Sequence, residues 1–138
     1  MIYLLVGKKG SGKTKNLIRL SREAADKSMG CVVSIEKGDT LTFDMDSRVR
    51  LVNIEGYAIT DFGGLYGFIA GLLAGNYDIT DILVDSTLKI GGQDLVAFAD
   101  FIKKIAYLAE HAGTTLTFSV SADAHDIPDS IREIINII

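Results

Sequence analysis

Residues 7–14 read Gly-Lys-Lys-Gly-Ser-Gly-Lys-Thr, a spacing suited to holding an anion. Gly7, Gly10 and Gly12 let the backbone turn sharply and come close to a ligand. The N–H groups of such a loop converge into a nest for a phosphate. A helix opening near Lys13 adds the positive end of its dipole at the same place. In the pattern G-x-x-x-x-G-K-[ST], Lys13 neutralises the outer phosphates and the Thr14 hydroxyl ligates Mg²⁺. The expected contact set is Gly7, Lys8, Lys9, Gly10, Ser11, Gly12, Lys13, Thr14 and Lys15. Of these, Lys8, Lys9 and Lys15 are solvated charges that add attraction for a polyanion. An ordinary glycine turn could share this pattern, but here it follows an apolar run and precedes a helical one, as a phosphate-binding loop requires.

Magnesium held in this way needs an acidic residue at the end of a neighbouring strand. Ile82-Leu83-Val84-Asp85 supplies one, and Asp85 is the expected metal-side carboxylate, with a helix or turn cap as the alternative role. Guanine specificity finds no support. No N-K-x-D sequence is present, and Asp85-Ser86-Thr87-Leu88 lacks a glycine three residues after the aspartate. The ligand expected is therefore ATP with Mg²⁺.

The rest of the chain must position these groups. Residues 2–6 are a short apolar run, expected for a strand buried on both faces of a parallel sheet. Residues 13–28 carry apolar positions at helical spacing, with Gly30 as a stop. Strands are expected at 31–35, 50–54, 81–85 and 115–121, with helices at 61–76 and 93–112 and a loop at 37–47. A last amphipathic helix is expected from Pro128, with Ile131, Ile134, Ile135 and Ile138 on its apolar face. Alternating strands and helices predict one α/β domain over residues 1–138: three layers, α/β/α, around a mostly parallel five-stranded sheet.

The order of these parts resembles the RecA-like ATPase core within the P-loop NTPase superfamily. Three stretches carry the resemblance: GKKGSGKT at 7–14, CVVSIEKGD at 31–39 and ILVDS at 82–86. RecA-like proteins carry a catalytic glutamate at the end of the strand after the phosphate-loop helix, and Glu36 matches that position. The resemblance thus implies Glu36 as the base that polarises an attacking water, and Lys13 as its catalytic partner on the phosphates. The reading from residues alone is a solvated loop carboxylate ahead of Lys37-Gly38. RecA-like strands often end in a polar sensor where this chain has Ser119–Ser121. The segments corresponding to the DNA-binding loops of recombinases are cut down to 88–92 and 121–127, so recombination is not implied.

Composition narrows the partners. The chain has 138 residues, 48% apolar and 23% charged, with a net charge of −4. Binding nucleic acid through a basic surface is disfavoured on that charge. One cysteine, Cys31, excludes a disulfide framework. The apolar runs are too short for a signal peptide core or a membrane span, which points to a cytoplasmic protein. Gly63, Gly67, Gly71 and Gly75 recur every four residues along one helix face. They predict close packing on the sheet or a subunit interface in a homo-oligomer. His125, among carboxylates in DAHD (123–126), is expected on a surface loop rather than at a metal. Arg48, Arg50 and Arg132 are possible arginine fingers with nothing to choose between them. The reading is an Mg-dependent ATPase that couples nucleotide binding or hydrolysis to a conformational change. A nucleoside-type small-molecule kinase and a non-hydrolysing nucleotide-binding or partner-binding module remain open.

Overall fold

A computed structural model of the chain describes residues 1–39 and 44–138. Among the described residues six strands form one sheet: β1 (Ile2–Gly7), β2 (Cys31–Glu36), β3 (Val49–Asn53), β4 (Ile79–Val84), β5 (Thr115–Ser121) and β6 (Asn136–Ile137). Every pairing is parallel, in the order β3-β2-β4-β5-β1-β6. The helices are α1 (Lys13–Lys27), α2 (Phe62–Gly75), α3 (Thr87–Gly91) and α4 (Leu95–Ala112).

The direction of each step between strands decides which face its connection covers. Parallel crossovers are overwhelmingly right-handed. The step from β1 to β2 runs one way along the sheet, whereas β3 to β4 and β4 to β5 run the other way. Their helices must therefore lie on opposite faces. Leu17 of α1 packs with Leu5, Val32, Val49 and Leu83 on one face. On the other face α2 and α4 bury Phe62, Leu65, Ile69, Phe98, Ile102 and Ile105 against Leu4, Ile35, Val84 and Phe118. The result is three layers, with one helix on the first face and the larger core under the second.

Local sequence explains the helix starts. The Asp61 side chain accepts from Gly64 N at 2.7 Å and caps α2, and Asp94 accepts from Val96 N at 2.9 Å and caps α4. Gly91 is required for close approach, because a Cβ there would collide with the Phe62 ring of α2. This contact fixes the short helix α3 against the core.

Three expectations are corrected. The sheet has six strands rather than five, and all are parallel. No α-helix follows Pro128: residues Asp129–Ile134 form 3-10 turns and Asn136–Ile137 pairs with the free edge of β1. The isoleucine-rich tail is β-branched, so a strand edge in need of partners outcompetes a weak helix pattern. Ile131 and Ile135 still turn into the core. Finally, the glycine row of α2 does not pack on the sheet. Gly63, Gly67, Gly71 and Gly75 are all exposed, and a Cβ on Gly67, Gly71 or Gly75 would meet nothing within 4 Å.

The other elements fall within a few residues of expectation. Part of the loop expected at 37–47 (residues 40–43) lies outside the described residues. Cys31 is half-buried at the start of β2 and packs against the core. Among the described residues no helix is long and apolar enough to cross a membrane.

Candidate functional site

In an open parallel sheet, ligands bind outside the carboxyl ends of the strands, where neighbouring connections leave in opposite directions. Here β1 leads into α1 on one face, and its neighbour β5 leads to the far edge across the other face. The carboxyl ends of β1, β5, β4 and β2 lie side by side, carrying the loop at 8–12, Ser121, Asp85 and Glu36.

The loop turns through Gly10 and Gly12, at φ +83° and +89°. Only glycine takes these angles without strain. Gly12 stands at the N-cap of α1 with no side-chain cap, so the first-turn N–H groups of the helix remain available to an anion. The Lys13 ammonium donates to the Lys8 carbonyl at 2.8 Å and to Ser11 Oγ at 3.5 Å. Its side chain curls back along its own loop. Burial lowers the Lys13 pKa from the ordinary lysine value, and the nearby Asp85 carboxylate opposes that shift.

Asp85 is 6% exposed. The Thr14 hydroxyl donates to its Oδ2 at 3.3 Å, a contact across 71 positions of sequence. Ser119 Oγ donates to its Oδ1 at 2.7 Å and accepts from Ser86 N, also at 2.7 Å. Asp85 therefore joins α1 to the sheet and does not cap α3. Ser86, the next residue, takes a left-handed conformation (φ 54°, ψ 51°), a strained state for a non-glycine residue. Its N–H bond to Ser119 helps hold it there.

Lys9, Gly10, Gly12, Lys13, Thr14, Lys15, Asp85, Ser86, Ser119 and Ser121 surround a cavity of about 390 Å³. Thr14 and Asp85 offer two hard oxygen donors on its wall. Such a pair fits Mg²⁺, which is commonly held by one or two protein oxygens together with phosphate and water. Among the described residues no group of three or more His, Cys, Asp or Glu forms a metal centre of its own. That includes His125, which sits in a 3-10 turn capped by Asp123.

Glu36 ends β2 and is 2% exposed, so it is not a solvated loop carboxylate. Asp85 N donates to Ile35 O at 3.0 Å, which brings the ends of β2 and β4 together. Glu36 does not line the 390 Å³ cavity. The structure thus brings Lys13, Thr14 and Asp85 to one wall and leaves Glu36 beside them.

Two of the three arginines have partners of their own. Arg48 bonds Asp26 at 2.7 Å and Asp46 at 2.9 Å, and the Arg48 guanidinium holds the Asp46 carboxyl down at about 2. Arg132 donates to Ala124 O and Ile127 O and pairs with Asp129, pinning the segment before β6. Arg50 lies on edge strand β3, on the wall of a groove beside α2.

Ser119 was not singled out as the partner of Asp85, yet the sequence carried a signal. Thr115, Thr117, Ser119 and Ser121 place a hydroxyl at every second position of a buried strand, so one face of β5 is polar along its length. Ser119→Ala removes both bonds and leaves two buried groups unpaired. We expect a loss of about 1–3 kcal/mol of stability, read by denaturant unfolding, together with weaker Mg²⁺ dependence of ligand binding. Unchanged stability and Mg²⁺ dependence would show that Ser119 does not hold Asp85.

No protein-family model matches the chain, and no curated protein matches its sequence.

Proposed function

We propose that this chain binds ATP with Mg²⁺ at the loop of residues 7–15 and hydrolyses it, as a minimal P-loop NTPase with the RecA-like order of parts. The observation that carries this reading is the contact from Thr14 to Asp85 at 3.3 Å beside the glycine loop. Two residues expected to share one cation, 71 positions apart, meet at the mouth of a cavity of matching chemistry. The loop N–H groups and the first turn of α1 bind the phosphates. The Lys13 ammonium leaves the Lys8 carbonyl for a phosphate oxygen. Thr14 and Asp85 are the residues that would hold magnesium, Asp85 through water. When bound, magnesium supplies charge neutralisation across the phosphate oxygens. Glu36 would take a proton from the attacking water, which requires the carboxylate of a residue 2% exposed to reach the cavity. The cytoplasm is the compartment this reading implies. A second copy packing on the glycine row of α2 would make the protein a homo-oligomer.

Glu36 is buried and does not line the cavity, and that favours a second reading, a nucleotide-binding module that does not hydrolyse. The two separate in one pair of measurements. Calorimetry with ATP and Mg²⁺ should show binding for both the wild type and Glu36→Gln. Turnover should appear in the wild type and fall by about 10²–10⁴-fold in the variant. Binding without turnover in the wild type selects the second reading. No heat with any purine triphosphate removes both.

A further inference from the structure

A second cavity adjoins the first and is about twice its size, about 850 Å³. The two share Lys9, Ser86 and Ser121 on their walls. A phosphate chain lying in the loop would fill the smaller cavity and leave the larger one open at its end. Lys8, Lys9 and Lys89 line that larger groove, and among the described residues no carboxylate does. None of these three lysines makes an ion pair among the described residues. In a protein of net charge −4, three free cations around one concave surface focus a local positive field.

Lys89 is an exposed side chain on a firmly held backbone. It stands on α3 between Leu88 and Ile90, which are 4% and 1% exposed. The contact of Gly91 with the Phe62 ring ties α3 to the core. Gln93 donates to Leu88 O at 3.3 Å and closes the rim.

We infer that the groove formed by Lys8, Lys9, Lys89, Gln93, Ser86 and Ser121 is a second anion site that takes a phosphorylated small molecule alongside the nucleotide. This rests on the nucleotide reading for the occupant of the neighbouring cavity. The lining chemistry selects the class. Lysines act as point charges suited to phosphate, and the arginine forks that match planar carboxylates are absent from the wall. The volume suits a small ligand. Among the described residues no aromatic side chain lines the groove, so they offer bases no stacking platform, which disfavours single-stranded nucleic acid.

The test saturates the whole protein with a non-hydrolysable ATP analogue and Mg²⁺, then titrates inorganic pyrophosphate by calorimetry. The wild type should bind pyrophosphate. Lys89→Glu should weaken that binding by about tenfold or more while the analogue still saturates the protein. Lys103→Glu, the same charge change on exposed α4, should leave pyrophosphate binding as it is. Absence of pyrophosphate binding, an equal loss in both variants, or Lys89-dependent binding of a short oligothymidylate in place of pyrophosphate would each overturn the inference. If the analogue does not bind, the nucleotide reading fails on its own. The titration of the free protein then decides the groove: pyrophosphate binding lost in Lys89→Glu upholds it, and binding indifferent to Lys89 overturns it.

Discussion

Lys13→Ala should lose ATP binding by at least about a hundredfold, equivalent to roughly 2.7 kcal/mol or more. Lys13 is the one cation in the loop whose side chain is largely enclosed (9% exposed) and already directed onto the loop's own carbonyl. Enclosure makes its charge worth more to an anion than that of the exposed Lys8, Lys9 or Lys15, because less water stands between the charges. The variant should still fold. It loses the bond to Lys8 O, and a single hydrogen bond of this kind is worth about 0.5–3 kcal/mol net. Calorimetry with Mg-ATP, with unfolding curves to confirm the native state, checks both halves. A folded variant that keeps wild-type affinity would remove the phosphate loop from the argument.

Phe118→Ala should lower stability by about 3–5 kcal/mol, out of a total for ordinary domains of about 5–15 kcal/mol. Phe118 is fully buried in β5 and meets Phe101 edge-on at 5.6 Å, inside a group that also includes Phe62 and Phe98. A central strand pinned on both sides by β1 and β4 cannot collapse to fill the space. Ser119 is the next residue, so the loss should also reach the Asp85 carboxylate. Chemical denaturation measures the first effect and Mg-ATP titration of the folded fraction the second. A stability change under about 1 kcal/mol would mean that the core under α4 repacks freely.

Much of this arrangement was legible in the amino-acid order, for definite reasons. β5 was placed at its observed bounds because Thr115, Thr117, Phe118 and Val120 are β-branched or aromatic and glycine and charge flank the run. The helices expected at 61–76 and 93–112 begin within two residues of those bounds, at Phe62 and Leu95. Lys13 and Thr14 stand at set places in the pattern G-x-x-x-x-G-K-[ST] and Asp85 ends an apolar run, so the order of residues named three side chains that the fold brings to one wall. What was not legible depends on tertiary contacts. α3 is only five residues long, too short for a periodic signal, and it holds its place through Gly91 against Phe62. β6 exists because β1 has an open edge to pair with, a fact about topology rather than about Asn136–Ile137. The Ser119 bond to Asp85 spans 34 positions and needs β5 to lie next to β4. The lysine groove likewise draws on three separate segments.

α2 faces solvent with its glycines, which shapes its motion. Gly67 and Gly71 lie in the helix interior, where each costs about 1 kcal/mol relative to alanine, and no packing contact at these positions offsets that cost. Helix α4, of comparable role, has no glycine within Leu95–Ala112. Local opening draws on the segments with least to lose. Backbone amides of α2 should therefore exchange with deuterium sooner than those of α4, making this helix the thermal weak seam of the second layer.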